Sequence, residues 1–227
     1  MCARYTLAEP RRVIAKFPKY HLTPAQRPRY NIAPTDPVLA TKNDHRDAIE
    51  ELRWGLVPFW ASGPSVGVRM INARAEVIAH KRAFARAFVA QRALVWSDGF
   101  YEWTGPKGHK QPYRFVVDGG APFAFAGLWE SFGDPKAPLE PVTNVTPAAT
   151  AVVERIHDRM PVILDDGDLE RWLYTDDLAE AESMLVPFDA ARMRGYAVST
   201  RVGRVGYDEP DAIAEAEPEG SLFPDPA

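Results

Sequence analysis

The chain has 227 residues, 46% of them hydrophobic and 11% aromatic, with a formal net charge of −4; this suits one domain with a real core and excludes global disorder. A single cysteine, Cys2, excludes an internal disulfide and a cysteine-built zinc site, and the five histidines lack metal-helix spacing. No apolar run follows a basic start, so a soluble cytoplasmic protein is expected, with no cofactor, no metal and no membrane contact.

The charge is uneven. From Val205 onward there are seven acidic residues and no Lys or Arg, so the preceding part is net positive. Residues 69–92 carry Arg69, Arg74, Lys81, Arg82, Arg86 and Arg92 against Glu76 alone. Such a run is either a solvated helix face or a patch that attracts phosphate.

In chain order, Phe84, Ala87 and Phe88 lie at i, i+3, i+4 and predict a helix within 77–92, with Lys81, Arg82 and Arg86 facing outward. Residues 93–96 read as a short strand. Residues 113–117 and 122–128 read as two strands joined by Asp118-Gly119-Gly120, the clearest hairpin signal in the chain. Short β-type runs follow at 142–145 and 162–164. Leu169, Trp172 and Leu173 repeat the helical spacing, with Asp168 as N-cap, and 196–199 closes the series of strands. The class is α+β: a mostly antiparallel, barrel-like sheet of many short strands with peripheral helices. Residues 1–210 form a single domain, and 211–227, acidic and rich in Pro and Ala, form a disordered tail.

Four residues stand out chemically. Removal of Met1 would leave Cys2 with both a thiol and an α-amine, two nucleophiles suited to condensing with an aldehyde; taken alone, Cys2 reads rather as an incidental small apolar residue on a frayed terminus. In Asp98-Gly99-Phe100-Tyr101-Glu102-Trp103 a carboxylate sits between aromatics, where desolvation would raise its pKa and make it a proton donor. The alternative is a strand-end glutamate with its head in water. His157, just before the strand at 162–164, is either a proton shuttle or a core histidine bonded to backbone. Asn72, in Asn72-Ala73-Arg74-Ala75-Glu76, could hold a hydroxyl, with Arg74 on phosphate, or serve as a turn or cap.

Together with Met1-Cys2-Ala3-Arg4, Tyr30-Asn31-Ile32-Ala33-Pro34-Thr35, Arg53-Trp54-Gly55-Leu56-Val57-Pro58, Phe125-Ala126-Gly127-Leu128-Trp129-Glu130 and the stretch from His157 to Leu164, these segments make the chain closely resemble the SRAP family, the SOS-response-associated proteins that bind abasic sites in single-stranded DNA. The resemblance covers the chain to about Pro210. It implies that Cys2 forms a thiazolidine link with the ring-opened aldehyde of the abasic sugar, that Asn72 positions the sugar, that Glu102 is the acid/base and that His157 assists proton transfer. It further implies that Thr146 supplies a hydroxyl to the pocket, that Arg4 and Arg74 lie near phosphate, and that Trp54 and Trp60 stack on or wedge bases. Ala3 stands where the family start has glycine, and Trp96-Ser97 where Pro-Ala more often precedes the aspartate.

The function expected is covalent shielding of abasic sites in single-stranded DNA, with AP-lyase cleavage and self-reversal as secondary outcomes. The alternatives are an N-terminal-cysteine peptidase or amidohydrolase with His157 as base, and a non-covalent single-stranded DNA binding module whose tail recruits a replication or repair partner. A monomer is expected.

Overall fold

The computed structural model describes residues 2–22, 26–45 and 47–217. Two sheets account for most of the short apolar runs. In the first, β13 (Met193–Ala197), β9 (Gln111–Val117), β8 (Gly99–Thr104), β1 (Arg4–Leu7) and β3 (Arg29–Ile32) pair antiparallel in that order. In the second the order is β12 (Ile163–Leu164), β10 (Phe123–Trp129), β7 (Arg92–Ser97), β4 (Pro37–Lys42), β5 (Ala48–Trp54), β11 (Pro141–Thr146) and β6 (Asn72–Arg74), with β2 (His21–Leu22) beside β5. Because β10 also pairs with β11, the strands β10, β7, β4, β5 and β11 close on themselves as a barrel. Closure removes the unpaired edges that an open sheet of such apolar strands would expose. Among the described residues five short α-helices flank the sheets: α1 (Pro10–Lys16), α2 (Ala85–Ala90), α3 (Ala151–Glu154), α4 (Leu169–Tyr174) and α5 (Leu178–Ser183). The α+β class with a barrel-like sheet is therefore the observed one.

Aromatic side chains join the two sheets. Tyr5 on β1 meets Trp54 and Phe125 edge-on, with centroids 4.9 and 5.6 Å apart, and Phe100 on β8 meets Phe125 edge-on at 6.2 Å. These rings are buried, and truncating one to alanine would cost about 3–5 kcal/mol.

The predicted hairpin does not form. Both strands exist, but β9 belongs to the first sheet and β10 to the second. Asp118, Gly119 and Gly120 all take positive φ (47°, 69° and 87°), one residue more than a two-residue hairpin turn uses, and the chain leaves β9 in a new direction. Every residue of both strands is buried, so each needs partners on both faces that the other alone could not supply.

The helix expected within 77–92 shrinks to α2. Ile78 must reach the core, as must Ala87 and Phe88; at about 100° per residue a continuous helix would put Ile78 opposite Ala87, so 77–84 folds as successive turns instead. Arg92 is not a surface cation. It is buried at the start of β7, donating to the carbonyls of Trp172 (2.5 Å) and Phe88 (2.9 Å). Asp168 precedes α4 but makes no capping bond and pairs with Arg171 at 2.5 Å. The last strand begins earlier than expected, at Met193.

Residues 211–216, expected in the tail, pack on the domain. Ala212 is buried, its carbonyl accepts from Tyr101 Oη at 3.2 Å, and Glu215 bridges Val198 while pairing with Arg194. Paired charges and a buried apolar anchor thus order a segment whose composition reads as solvated. The rest of the expected tail, 218–227, lies outside the described residues, as does Met1.

Gly55 and Gly67 cross back to back and hold the loop that follows Trp54. A Cβ on Gly55 would stand 2.5 Å from the Gly67 carbonyl oxygen, and Gly55 has φ +126°. Gly55→Ala is expected to destabilise the fold by roughly 3 kcal/mol or more, read as a lowered denaturation midpoint with an unchanged m-value.

Candidate active site

Cys2 enters the core just ahead of β1. Its side chain is fully buried, Sγ donates to the Arg4 carbonyl at 3.4 Å, and its own carbonyl accepts from Asn72 Nδ2 at 2.7 Å. Burial, reinforced by the Glu102 carboxylate, pushes the thiol pKa well above its ordinary value. At neutral pH the sulfur is a thiol, and it needs a base before it can attack.

Glu102 lies on β8 on the same face as Phe100, where strand alternation turns both inward. It is 3% exposed. Desolvation pushes its pKa up to about 7, with Asp158 adding to the rise and Lys110 opposing it. A carboxylic acid that holds its proton near neutrality is a proton donor that can afterwards act as a base.

His157 follows α3, its N–H bonded to the Val153 carbonyl at 2.9 Å. Nδ1 faces both the Arg159 backbone N–H at 3.0 Å and the Asp158 carboxylate, a donor to the bare nitrogen and an acceptor for the protonated one. Burial lowers the ring's pKa, and Asp158, 2.9 Å from Nδ1, works the other way. Arg159 ties this loop to the sheet: it pairs with Glu76 at 2.5 Å, just past β6, and donates to the Thr146 carbonyl at the end of β11.

Ala3, Arg4, Glu102 and His157 line one open pocket of about 770 Å³, together with Trp103 and a rim from the β8–β9 loop and from Thr200 and Gly203. The Ala3 methyl forms part of the pocket wall. Arg4 lines the pocket but is committed to structure, donating to Asn31 Oδ1 at 2.9 Å and the Val202 carbonyl at 3.0 Å. Thr146 is buried, its Oγ1 donating to the Ala73 carbonyl at 3.4 Å, while Arg74 is exposed at the end of β6.

The two tryptophans expected to meet bases differ. Trp54 is wholly buried, with Nε1 donating to the Ile71 carbonyl at 3.0 Å, so it is a wall of the core and has no face to offer a base. Trp60 is 41% exposed, with the Arg82 guanidinium 4.8 Å from its ring. Beside it Phe59, missed in the sequence, is 53% exposed with Arg86 4.5 Å from its ring; the adjacent Phe-Trp pair in a loop was the available signal. Lys110 and His109 on the pocket rim were also missed, and no local pattern marks them. With Arg69, Arg74 and Lys81 also exposed, residues 59–86 combine cations and open aromatic faces.

The model of the SOS response associated peptidase (SRAP) family matches residues 1–205. Abasic site processing protein YoqW of Bacillus subtilis is 38% identical over 222 residues, covering 94% of this chain and 99% of its own. Abasic site processing protein HMCES of Gallus gallus is 31% identical over 225 residues, covering 84% of this chain and 67% of its own. A crystal structure of a Bacteroides thetaiotaomicron protein has the same fold, with a TM-score of 0.85 over 95% of this chain and all of that one, at 23% identity. With a family match over nearly the whole described fold and relatives of this similarity, the chain belongs to the SOS response associated peptidase (SRAP) family.

Proposed function

We propose that this protein recognises abasic sites in single-stranded DNA and links to them covalently through Cys2 once Met1 has been removed. The observation that carries this reading is a buried Cys2 whose thiol feels the charge of Glu102, a carboxyl group titrating near neutrality that lines an open pocket next to Ala3 and Arg4. The names of the relatives, abasic site processing proteins, support the choice of lesion.

In the proposed sequence Glu102 protonates the ring oxygen of the abasic sugar while the C1′ hydroxyl releases its proton to solvent, and the hemiacetal opens to an aldehyde. The Cys2 α-amine adds to C1′ and the adduct loses water to give an imine, with the His157 ring donating a hydrogen bond to the sugar oxygens. Asn72 holds the Cys2 carbonyl and with it the direction of the amine. Glu102, now a carboxylate, takes the thiol proton; sulfur adds to the imine carbon, and the nitrogen takes up from solvent the proton released at ring opening, closing the thiazolidine and leaving Glu102 protonated again. The raised thiol pKa makes the amine the first nucleophile. An imine also acidifies the neighbouring carbon, so β-elimination competes when sulfur attack is slow, and reprotonation by Glu102 provides a route to release.

The deciding experiment is a denaturing gel of the protein with a single-stranded oligonucleotide bearing one abasic site. A shifted band is expected with the abasic strand and not with the intact one, and acetylating the α-amine or retaining Met1 should abolish it. Absence of the band with unmodified protein overturns the covalent reading. For the binding surface, Trp60→Ala is expected to weaken affinity for intact single-stranded DNA about tenfold or more, measured by fluorescence anisotropy at fixed salt, because one stacked base contributes about 1–3 kcal/mol.

A further inference from the structure

The floor beneath Cys2 contains polar groups that the mechanism above leaves unused. Strands β6 and β11 run parallel with Asn72 opposite Asn144 and Arg74 opposite Thr146. Directly paired residues project to the same face of a sheet, so the amides of Asn72 and Asn144 stand side by side. On the other flank of Asn144 the paired residue on β10 is Gly127, which has no side chain to compete for it.

Asn144 is wholly buried, and neither its Nδ2 nor its Oδ1 has a hydrogen-bond partner among the described residues; Asn72 Oδ1, also buried, has none either. A primary amide sealed in the core without partners is costly, and native folds rarely keep one. The same layer holds a third such group, the Tyr5 hydroxyl: Tyr5 packs on Phe125, which lies on the same side of β10 as Gly127. A valine or leucine would fill the position of Asn144 without that cost. Its amide sits one strand away from the amide that holds Cys2.

We propose that Asn144 is a positioning residue for Asn72, with Asn144 Nδ2–H donating to one bridging water that donates in turn to Asn72 Oδ1. The consequence is a choice between two flips of the Asn72 amide. With Oδ1 engaged by Asn144, Nδ2 must face the Cys2 carbonyl, as observed at 2.7 Å. In the opposite flip two oxygens would face each other, and Cys2 would lose the anchor that aims its amine and sulfur. The consequence for adduct formation rests on the function proposed above; the hydrogen-bond geometry does not.

The test compares wild type, Asn144→Leu, Asn72→Ala and the double variant. Asn144→Leu is close to isosteric and removes only the amide; should leucine not be accommodated, Asn144→Ser serves the same comparison. The rate of adduct formation with an abasic oligonucleotide is expected to fall about tenfold in Asn144→Leu, with binding to intact single-stranded DNA and the melting temperature undiminished. In the Asn72→Ala background the same substitution should change the rate by less than twofold, because its effect passes through Asn72. A wild-type rate in Asn144→Leu, or an equal fall in both backgrounds, overturns the proposal. The side-chain NH2 signals of Asn72, assigned by their loss in Asn72→Ala, give a readout without DNA: they should broaden or split in Asn144→Leu as both flips become populated. Unchanged signals overturn the proposal even if the wild type forms no adduct, whereas a missing wild-type adduct with altered signals would strike only the proposed function.

Discussion

In Cys2→Ala the denaturation-resistant band is expected to vanish at every pH and incubation time, while non-covalent binding to single-stranded DNA stays within about twofold of wild type. The variant keeps an α-amine once Met1 is removed but has no sulfur, so the reaction should halt at the imine. Borohydride added during incubation should therefore still trap a covalent product, and strand cleavage by β-elimination should increase because nothing competes with it. Removing one buried sulfur costs only about 1 kcal/mol of burial, so the fold should survive. A persistent thermally stable band in Cys2→Ala would assign the link to another nucleophile. Loss of the borohydride-trapped product as well would mean that the α-amine does not initiate.

Glu102→Gln is expected to lower the rate of adduct formation about 10²-fold, the range typical of removing a positioned acid or base. The pH profile is the sharper readout. With a pKa of about 7, the wild-type acid is protonated below neutrality, so the step that opens the sugar should slow as pH rises through 7; the variant should lack this limb. Stability changes in the same window. The folded-state pKa lies above the ordinary value of 4.5, so the folded protein binds this proton more tightly than the unfolded chain does. The associated stability is fully present below pH 4.5 and is lost as pH rises through 7, by about 3 kcal/mol for the group. Glu102→Gln should remove that dependence and leave the variant relatively more stable at pH 8, measured by denaturant titration at pH 5 and pH 8. An unchanged pH–rate profile in the variant would assign the acid role elsewhere.

The four chemical candidates were legible as unusual residues in apolar settings, yet their relation to one another was not. Cys2 and Asn72 are 70 positions apart and meet through one hydrogen bond; Glu102 and His157 reach the same pocket from β8 and from the loop after α3. Trp54 shows the opposite outcome. The family resemblance implied a base-stacking role for it, but strand β5 runs to its end at that residue and turns it onto Tyr5. Asn144 had no signal at all, because its interest lies in being buried beside Asn72 on a neighbouring strand.

What the sequence determined by itself was local: short β-type runs became β7, β10 and β11, the spacing of Leu169, Trp172 and Leu173 became α4, and the series of many short strands with few helices set the α+β class. Such patterns report which residues seek burial. Tertiary structure decided which strands pair, because every strand with two apolar faces competes for partners across the whole chain. That competition sent β9 and β10 to different sheets and closed the barrel through β10 and β11. It also decided the chemistry of the site, since the pKa values of Cys2 and Glu102 follow from how completely the surrounding sheets exclude water.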